Sequence, residues 1–544
     1  MDSSGSTVRR LLRALQIAAG AGVVLVACSS LADDPESAAP SAIVADSTPD
    51  TATPDTETPD TATPDTASTD PVTTESVSTD PVETSSTSEP VPAPLGMAEV
   101  SFASDVLPIL EQHCASCHTA DGPGAAHLAL ETAEDATGFD ADYIAAVIDV
   151  GFMPPWPAAD GDLEFHGDRR LGTGERSTMA AWAEQGGILD VAPSTPIVAP
   201  EPTSGVLDRD AIVIGEPYKG SVGTDIDDYR CQIFDPLITD DGYLESFGFE
   251  ADRTEVVHHA LLFRADAEAR AAAEAQAAAD PDIGWSCTAL AGFGEPGQSD
   301  LIMSWAPGQE PTELPDGVGI ELTPGDFFVV QVHYHYEPEW ADLPPDQSRL
   351  VLDYADAATI AAAGGSLDPI ELELYLAPAE IPCSTDETGP LCDRDAARDA
   401  LLAEAGPFAA FVGEGLLGIC GASISDFADM TDGIATATCE HAANPGEIIS
   451  IWGHQHEIGA SFKMTLNKGT PDETVLLDIP RWSFDWQLNY EPVEQVVLEP
   501  GDRIHVECTW DRARIPADAE PRYIMWSEGT NDEMCYSQIV TRPA

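Results

Sequence analysis

Between Val100 and about Val191, apolar residues recur at three- and four-residue steps, as in DVLPILEQH and ERSTMAAWAEQ, the spacing of one buried helix face. From about residue 208 the period shortens to two. Runs such as FFVVQVHYH, LELYL, IISIWGHQH and RIHVECTW are short, alternating and separated by Gly, Pro and Asp. The change predicts a small all-α domain over 99–195, followed by all-β sandwich structure. The β region is too long for one sandwich of about 100 residues. The strand Leu350–Tyr354 followed by AATIAAAGGSLDP marks a seam between one sandwich over 208–362 and a second over 363–544. The Ala-rich stretch DAEARAAAEAQAAADPD reads as a helical excursion within the first. Residues 29–98 are Thr, Pro, Asp, Ser and Glu with near-repeats of TPDTAT. With almost no large apolar side chain to offset ordering entropy, they predict an extended, disordered tether.

At the N-terminus, Arg9, Arg10 and Arg13 precede an apolar run from Ala14 to Ala27, too brief to span a bilayer comfortably. Residues 1–28 therefore read as an export signal. It ends in Leu25-Val26-Ala27-Cys28-Ser29, which resembles the lipobox of bacterial lipoproteins and implies lipidation at Cys28. A plain signal peptide with a coincidental Cys is the alternative. No later stretch approaches ~18 consecutive apolar residues, so membrane contact is expected through the lipid anchor only, with the body on the periplasmic or extracellular side of the cell envelope.

Composition narrows the partners. The 544-residue chain has a formal net charge of -73, from 96 acidic against 23 basic residues. Such a surface repels phosphate backbones, which excludes nucleic acid. Of eleven cysteines, setting aside Cys28 for lipid and Cys114 and Cys117 for the motif below leaves an even number, suited to disulfides in an oxidising space.

Cys114-Ala115-Ser116-Cys117-His118 is a CxxCH pattern. Two thiols one helical turn apart add to haem vinyl groups, and the adjacent imidazole coordinates iron. One covalent haem c is expected, since neither a second CxxC nor a βαβ context favours a zinc site or a redox disulfide. Met153, in the rigid Gly151-Phe152-Met153-Pro154-Pro155-Trp156 loop, is the candidate sixth ligand, with a core Met as the bland reading. Met179 reads as packing, and His113 or His127 would give a bis-His centre. These hundred or so residues resemble a class I cytochrome c.

Twelve histidines are few for this length, yet six fall into three motifs: Val257-His258-His259-Ala260, Gln331-Val332-His333-Tyr334-His335 and Gly453-His454-Gln455-His456. Strand alternation sends i and i+2 to one face, so His454 and His456 can grip one metal ion. Adjacent His258 and His259 point oppositely in a regular strand, so joint ligation requires a bulge there. Together with Asn531-Asp532-Glu533-Met534-Cys535-Tyr536, the motifs resemble the copper type II, ascorbate-dependent monooxygenases, over about residues 208–544.

The resemblance implies two jelly-roll-like sandwiches facing each other across a cleft, with one of two copper ions on each. It assigns His258, His259 and His333 to an electron-transfer copper. It assigns His454, His456 and Met534 to the copper that meets dioxygen, the soft thioether favouring Cu(I). It also implies a Cys508–Cys535 disulfide beside Met534. Spacing leaves the other pairings open; Cys383 with Cys392, Cys420 with Cys439 and Cys231 with Cys287 are the candidates. His335 has no assigned ligand role, and His441 and His505 read as structural or surface residues.

The implied reaction is hydroxylation of a C–H bond of a small organic substrate by dioxygen, with electrons from the fused haem or an external donor such as ascorbate. Peptide-amidating members of the family anchor a carboxylate with Arg two residues before the His-x-His pair. Here that residue is Trp452, with Tyr536 and Gln538 after the methionine, so a less charged, aromatic or aliphatic substrate is expected in place of a glycine-extended peptide. The alternatives are a non-catalytic haem/copper electron-transfer lipoprotein and, more remotely, a structural sandwich with vestigial metal sites.

Overall fold

The computed structural model describes residues 100–544, except 120–121, 123, 126–127, 201–209, 221–226, 288–292, 295–297, 310, 337–342, 405 and 518. The export signal, Cys28, the 29–98 tether and His127 lie outside the described residues.

A π-helical turn, Phe102–Val106, begins at Ser101, whose hydroxyl accepts the Ser104 N–H, and runs into α1 (Leu107–His113). The CxxCH motif follows on α2 (Ala115–His118), then α3 (Phe139–Asp149) and α4 (Thr173–Glu184). Their apolar stripes meet in one cluster containing Phe102, Leu110, Ile144, Met179 and Trp182. The Phe102 and Trp182 rings lie 5.6 Å apart at its centre. Met179 is thus a packing residue, as its helical spacing suggested.

Between α3 and α4 the chain leaves this cluster and straps across the second sandwich. Phe165 forms a β-bridge with Pro492, flanked by His166 N–H to Glu491 O at 2.9 Å and Val493 N–H to Glu164 O at 2.8 Å. Trp156 and Phe165 pack on Tyr490, at 5.4 and 5.2 Å between ring centroids.

The first sandwich pairs two antiparallel sheets. One has β1 (Ala211–Ile214), β10 (Arg349–Tyr354), β3 (Gly242–Glu250) and β7 (Thr312–Glu313), with β8 (Ile320–Leu322) also on β3. The other runs β5 (Trp285–Ser286), β2 (Asp227–Phe234), β9 (Phe327–His335), β4 (Val257–Ala265) and β6 (Ser299–Trp305). β9 is buried along nearly its whole length because both faces are covered. Phe328, Val330, Val332 and Tyr334 face the sandwich interior. Phe327 and Val329 face the opposite way, against α5 (Arg270–Ala279), the Ala-rich excursion. That second face, continued along the strand, carries His333 and His335.

After β10, a short helix α6 (Ala357–Ala362) leads to strands that pair only among themselves. β11 (Glu371–Leu374), β20 (Tyr536–Pro543), β14 (Gly446–His454) and β17 (Val497–Leu498) form one sheet. β13 (Ile434–Ala442), β18 (Arg503–Asp511), β15 (Gly459–Leu466) and β16 (Thr474–Ile479) form the other. Phe462, Ile504, Trp510 and Ile539 are among the side chains of the core between them. The two sandwiches are in contact: Ile449 of β14 and Val540 of β20 belong to the first sandwich's apolar cluster.

Four disulfides tie the β region: Cys231–Cys287, Cys383–Cys392, Cys420–Cys439 and Cys508–Cys535. The last is the bridge the family resemblance implied, and the other three are the candidate pairings. Bridges of this density belong to a chain that folds in an oxidising compartment, extracellular or periplasmic. Among the described residues, no helix is long and apolar enough to cross a membrane.

Candidate metal centre

β4 and β9 pair with His259 opposite His333, and the register slips between Val257 and His259. His258 is the extra residue of that bulge. The slip is what lets two adjacent histidines face one point, the requirement that strand geometry imposed on this pair. His258 Nδ1 lies 3.1 Å from His259 Nδ1, and His333 Nδ1 lies 3.3 Å from the same atom.

Hydrogen bonds decide which nitrogens carry protons. His333 Nε2 meets the Asp227 carboxylate at 2.9 Å, and His258 Nε2 meets the Phe484 carbonyl at 3.2 Å. Both partners only accept, so both Nε2 atoms donate and both Nδ1 atoms present lone pairs. Burial, reinforced by neighbouring imidazoles, holds His258 and His259 well below their usual pKa and therefore neutral. Two lone pairs then face His259 Nδ1, which has at most one proton to offer. A cation resolves the conflict. Imidazole nitrogens bound ~2.0–2.1 Å from one metal ion stand a little over 3 Å from each other, as these do. Tyr229 stacks on His333 at 4.2 Å, fixing the ring plane.

In the second sandwich, β14 ends at His454 and the chain turns, so His456 is held from a loop rather than from the strand face that alternation suggested. Their ring centroids are 5.1 Å apart. His454 Nδ1 donates to Gln487 Oε1, and Gln487 Nε2 donates to the Phe484 carbonyl at 2.8 Å, which fixes the amide's orientation. His456 Nδ1 donates to the Asp532 carbonyl at 3.1 Å. Both rings therefore turn Nε2 lone pairs outward. Burial lowers the pKa of both, that of His456 to about 4.

Met534 is buried in the core of the second sandwich, beside the Cys508–Cys535 bridge. Its N–H donates to Glu533 Oε2 at 3.2 Å, and the same carboxylate accepts His456 N–H at 2.9 Å, Ile458 N–H at 3.0 Å and Trp510 Nε1–H at 2.9 Å. Burial pushes the Glu533 carboxyl up to about 8, against the pull of these donors toward the anion. Glu533 thus fixes the backbones of His456 and Met534 to one another.

The two histidine sets touch. His259 and His454 rings lie 5.3 Å apart, and Phe484 stacks on His258 at 3.9 Å. The expectation of sandwiches separated by a cleft gives way to one contiguous array, because the inter-sandwich contact closes directly over the histidines. Trp452, 2% exposed, stacks on His454 at 5.2 Å and donates its indole N–H to the Gln487 carbonyl. It packs against the histidine array as part of its wall.

Asp227, Gln487 and Glu533 escaped the sequence reading. Glu533 had a signal, an acid wedged against Met534 in a strand-rich segment; Asp227 and Gln487 had none short of the strand register. His335 shares Asp227, at 3.1 Å from Nδ1. His441 Nε2–H donates to the Leu376 carbonyl at 2.8 Å, and His505 lies beside Lys468, as structural and surface residues.

In the α unit, Cys114 and Cys117 are unbridged, and burial pushes the Cys114 thiol up to about 12. His118 Nδ1–H donates to the Leu128 carbonyl at 2.7 Å, which leaves Nε2 as a lone pair. A Cβ at Gly124 would stand 2.7 Å from the His118 ring, so only glycine fits there. Met153 is half-buried, its N–H held by the Val147 carbonyl at 3.2 Å. His113 is engaged with the Arg169 carbonyl and Glu175.

Set beside known proteins, 118 residues of the chain are 29% identical to peptidyl-glycine alpha-amidating monooxygenase A of Xenopus laevis and 28% identical to its B form. The match covers 21% of this chain and 11% and 12% of those curated relatives. No protein-family model matches. Among solved structures, allantoicase aligns over 58% of this chain and 78% of its own, with 11% identity and a TM-score of 0.13. An oxalate decarboxylase of Bacillus subtilis aligns over 59% and 70%, with 9% identity and a TM-score of 0.11. Over 21% of its length, the chain is distantly similar to a monooxygenase.

Proposed function

We propose that the chain is a copper-dependent monooxygenase that hydroxylates a C–H bond of a small organic substrate with dioxygen, drawing electrons from a covalently held haem c in its α unit. The observation that carries this reading is the array of five imidazoles, buried or half-buried, in four of which hydrogen bonds to carbonyl, carboxylate or amide oxygens assign the unprotonated nitrogen. The donor set suits copper, since imidazole accommodates both oxidation states and a thioether favours the reduced one. His258, His259 and His333 would hold one ion, and His454, His456 and Met534 the other. Copper held there supplies one-electron chemistry toward dioxygen.

The protein's own contribution is orientation and exclusion of water. Asp227, the Phe484 carbonyl, Gln487 and the Asp532 carbonyl fix which nitrogen is free in His333, His258, His454 and His456, and Trp452, Phe484 and Tyr229 pack against the rings. In the net reaction one oxygen atom enters the C–H bond and the other leaves as water, consuming two electrons and two protons. Trp452 against His454 favours an uncharged, aromatic or aliphatic substrate over a terminal carboxylate.

For the haem, Cys114 and Cys117 would supply the thioether links and His118 Nε2 one axial bond, with Met153 as the other. The relay is supported by a contact made just before Met153, at the end of α3. Arg481 Nη2 donates to the Val150 carbonyl at 2.6 Å. Six residues on, the same segment has placed Trp482 on the His456 carbonyl, Phe484 on His258 and Gln487 on His454. Lipidation at Cys28 would hold the exported protein to the cell envelope, in keeping with its four disulfides.

Stopped-flow absorbance tests the proposal. The haem is reduced, ascorbate withheld, and dioxygen added with a panel of substrates. Haem oxidation is expected to be independent of protein concentration, to require His258 and His333, and to match hydroxylated product. Met534→Ile should keep the first copper and abolish turnover. Oxidation unchanged without both histidines would assign the α unit to another partner.

A further inference from the structure

We propose that Asp227 couples the two histidine sets across the sandwich interface, so that metal held by one set raises the affinity of the other. The inference rests on the reading that both sets hold copper.

Asp227 starts β2, directly opposite His335 in the β2–β9 register, with Tyr229 opposite His333. Its carboxylate serves two domains. On its own sandwich it accepts His333 Nε2–H at 2.9 Å and His335 at 3.1 Å. From the second sandwich it accepts Thr530 N–H at 2.9 Å and Thr530 Oγ1–H at 2.6 Å. Tyr229 repeats the pattern two residues along the same face, stacking on His333 and donating its hydroxyl to the Glu528 carbonyl at 2.5 Å.

The loop these two residues grip, Glu528 to Asp532, is the one that positions the second set. The Asp532 carbonyl holds His456 Nδ1, and Glu533, next in the chain, holds the backbones of His456 and Met534. A metal ion on His333 Nδ1 commits Nε2–H to Asp227, which orders the carboxylate against Thr530 and, through the loop, the ring of His456. Ordering done for the first ion need not be repeated for the second. Linkage makes the effect reciprocal, and couplings of this kind are typically about 5–150-fold in affinity.

The test is anaerobic titration of the full chain with Cu(I) against a competing chelator. Each set is measured alone in a background that silences the other, His456→Ala for the first and His259→Ala for the second. The wild type is expected to bind two ions more tightly than the product of the separate affinities, by a factor within roughly 5–150. Thr530→Val removes the hydroxyl but keeps the Thr530 N–H and Tyr229 links, and should lower that factor several-fold; Thr530→Ser should restore it. Asp227→Asn should lose the coupling and also weaken the first set by about 10–100-fold, the usual cost of removing the carboxylate behind a ligating histidine.

Thermal melts run alongside separate a merely structural role, which would lower stability without changing the coupling factor. Full coupling in Thr530→Val, or an unchanged first set in Asp227→Asn, overturns the inference. So does a wild type that binds two ions independently. A wild type that binds no copper overturns the functional reading beneath it instead.

Discussion

His259, from the first sandwich, and His454, from the second, lie ring against ring with centroids 5.3 Å apart. Two copper ions bound to these sets as proposed would lie close together, near enough for their unpaired spins to interact. In the doubly loaded, oxidised protein, the electron paramagnetic resonance intensity should be broadened and should account for less copper than elemental analysis finds. Two sharp signals summing to all the copper would mean that the sets separate in solution.

Glu533 predicts a stability effect well outside the metal ligands. Four N–H groups end on its buried carboxylate, those of His456, Ile458, Met534 and Trp510. Glu533→Ala leaves them unsatisfied, and at about 1–3 kcal/mol for each buried orphan the loss should be at least about 4 kcal/mol. Glu533→Gln keeps one acceptor oxygen and should fall between. Chemical denaturation reads both, and copper affinity of the second set should fall in the same order.

Trp452→Arg, the substitution that would recreate a carboxylate anchor on sequence grounds, is expected to fail for a structural reason. Trp452 is buried, stacked on His454 and hydrogen-bonded to the Gln487 carbonyl. The groups described around it, His454, Tyr536 and the Gln487 carbonyl, include no carboxylate, and an uncompensated buried charge costs about 3–5 kcal/mol. The variant should unfold at lower denaturant and gain no affinity for glycine-extended peptides. A gain in peptide binding at wild-type stability would show that the wall opens.

Acid sensitivity should be traceable to Glu387. Partial burial pushes its carboxyl up, but the Arg512 guanidinium, with Ser384, outweighs this and holds it down to about 2. A folded-state pKa below the unfolded one contributes stability that is present above the ordinary value of 4.5 and lost as pH falls toward 2. The wild type should therefore lose melting temperature more steeply than Glu387→Gln between those two values. Parallel curves would mean that the pair is screened in solution.

Covalent and periodic features of this protein were legible from the chain. The helical and alternating runs marked the α unit and the β region. The Ala-rich stretch marked α5, and the adjacency of His258 and His259 demanded the bulge that the β4–β9 register contains. Such features are local, depending on residues a few positions apart whose geometry a helix or strand dictates. The cysteines could be counted from the chain, but spacing left three of the pairings open, and only the fold brings each pair of sulfurs within bonding distance.

What the tertiary structure decided is everything that needs two distant segments at once. His456 left the strand because Glu533, far along the chain, accepts its N–H. Trp452 became a wall because Gln487 and His454 close around it. The strap from 150 to 170 left a helical unit to bridge a β-sheet, which no periodicity within it announces. The two histidine sets met because the sandwiches pack directly, burying Ile449 and Val540 in the other domain's core. Inter-domain packing depends on the shapes of whole faces, which no short window of sequence contains.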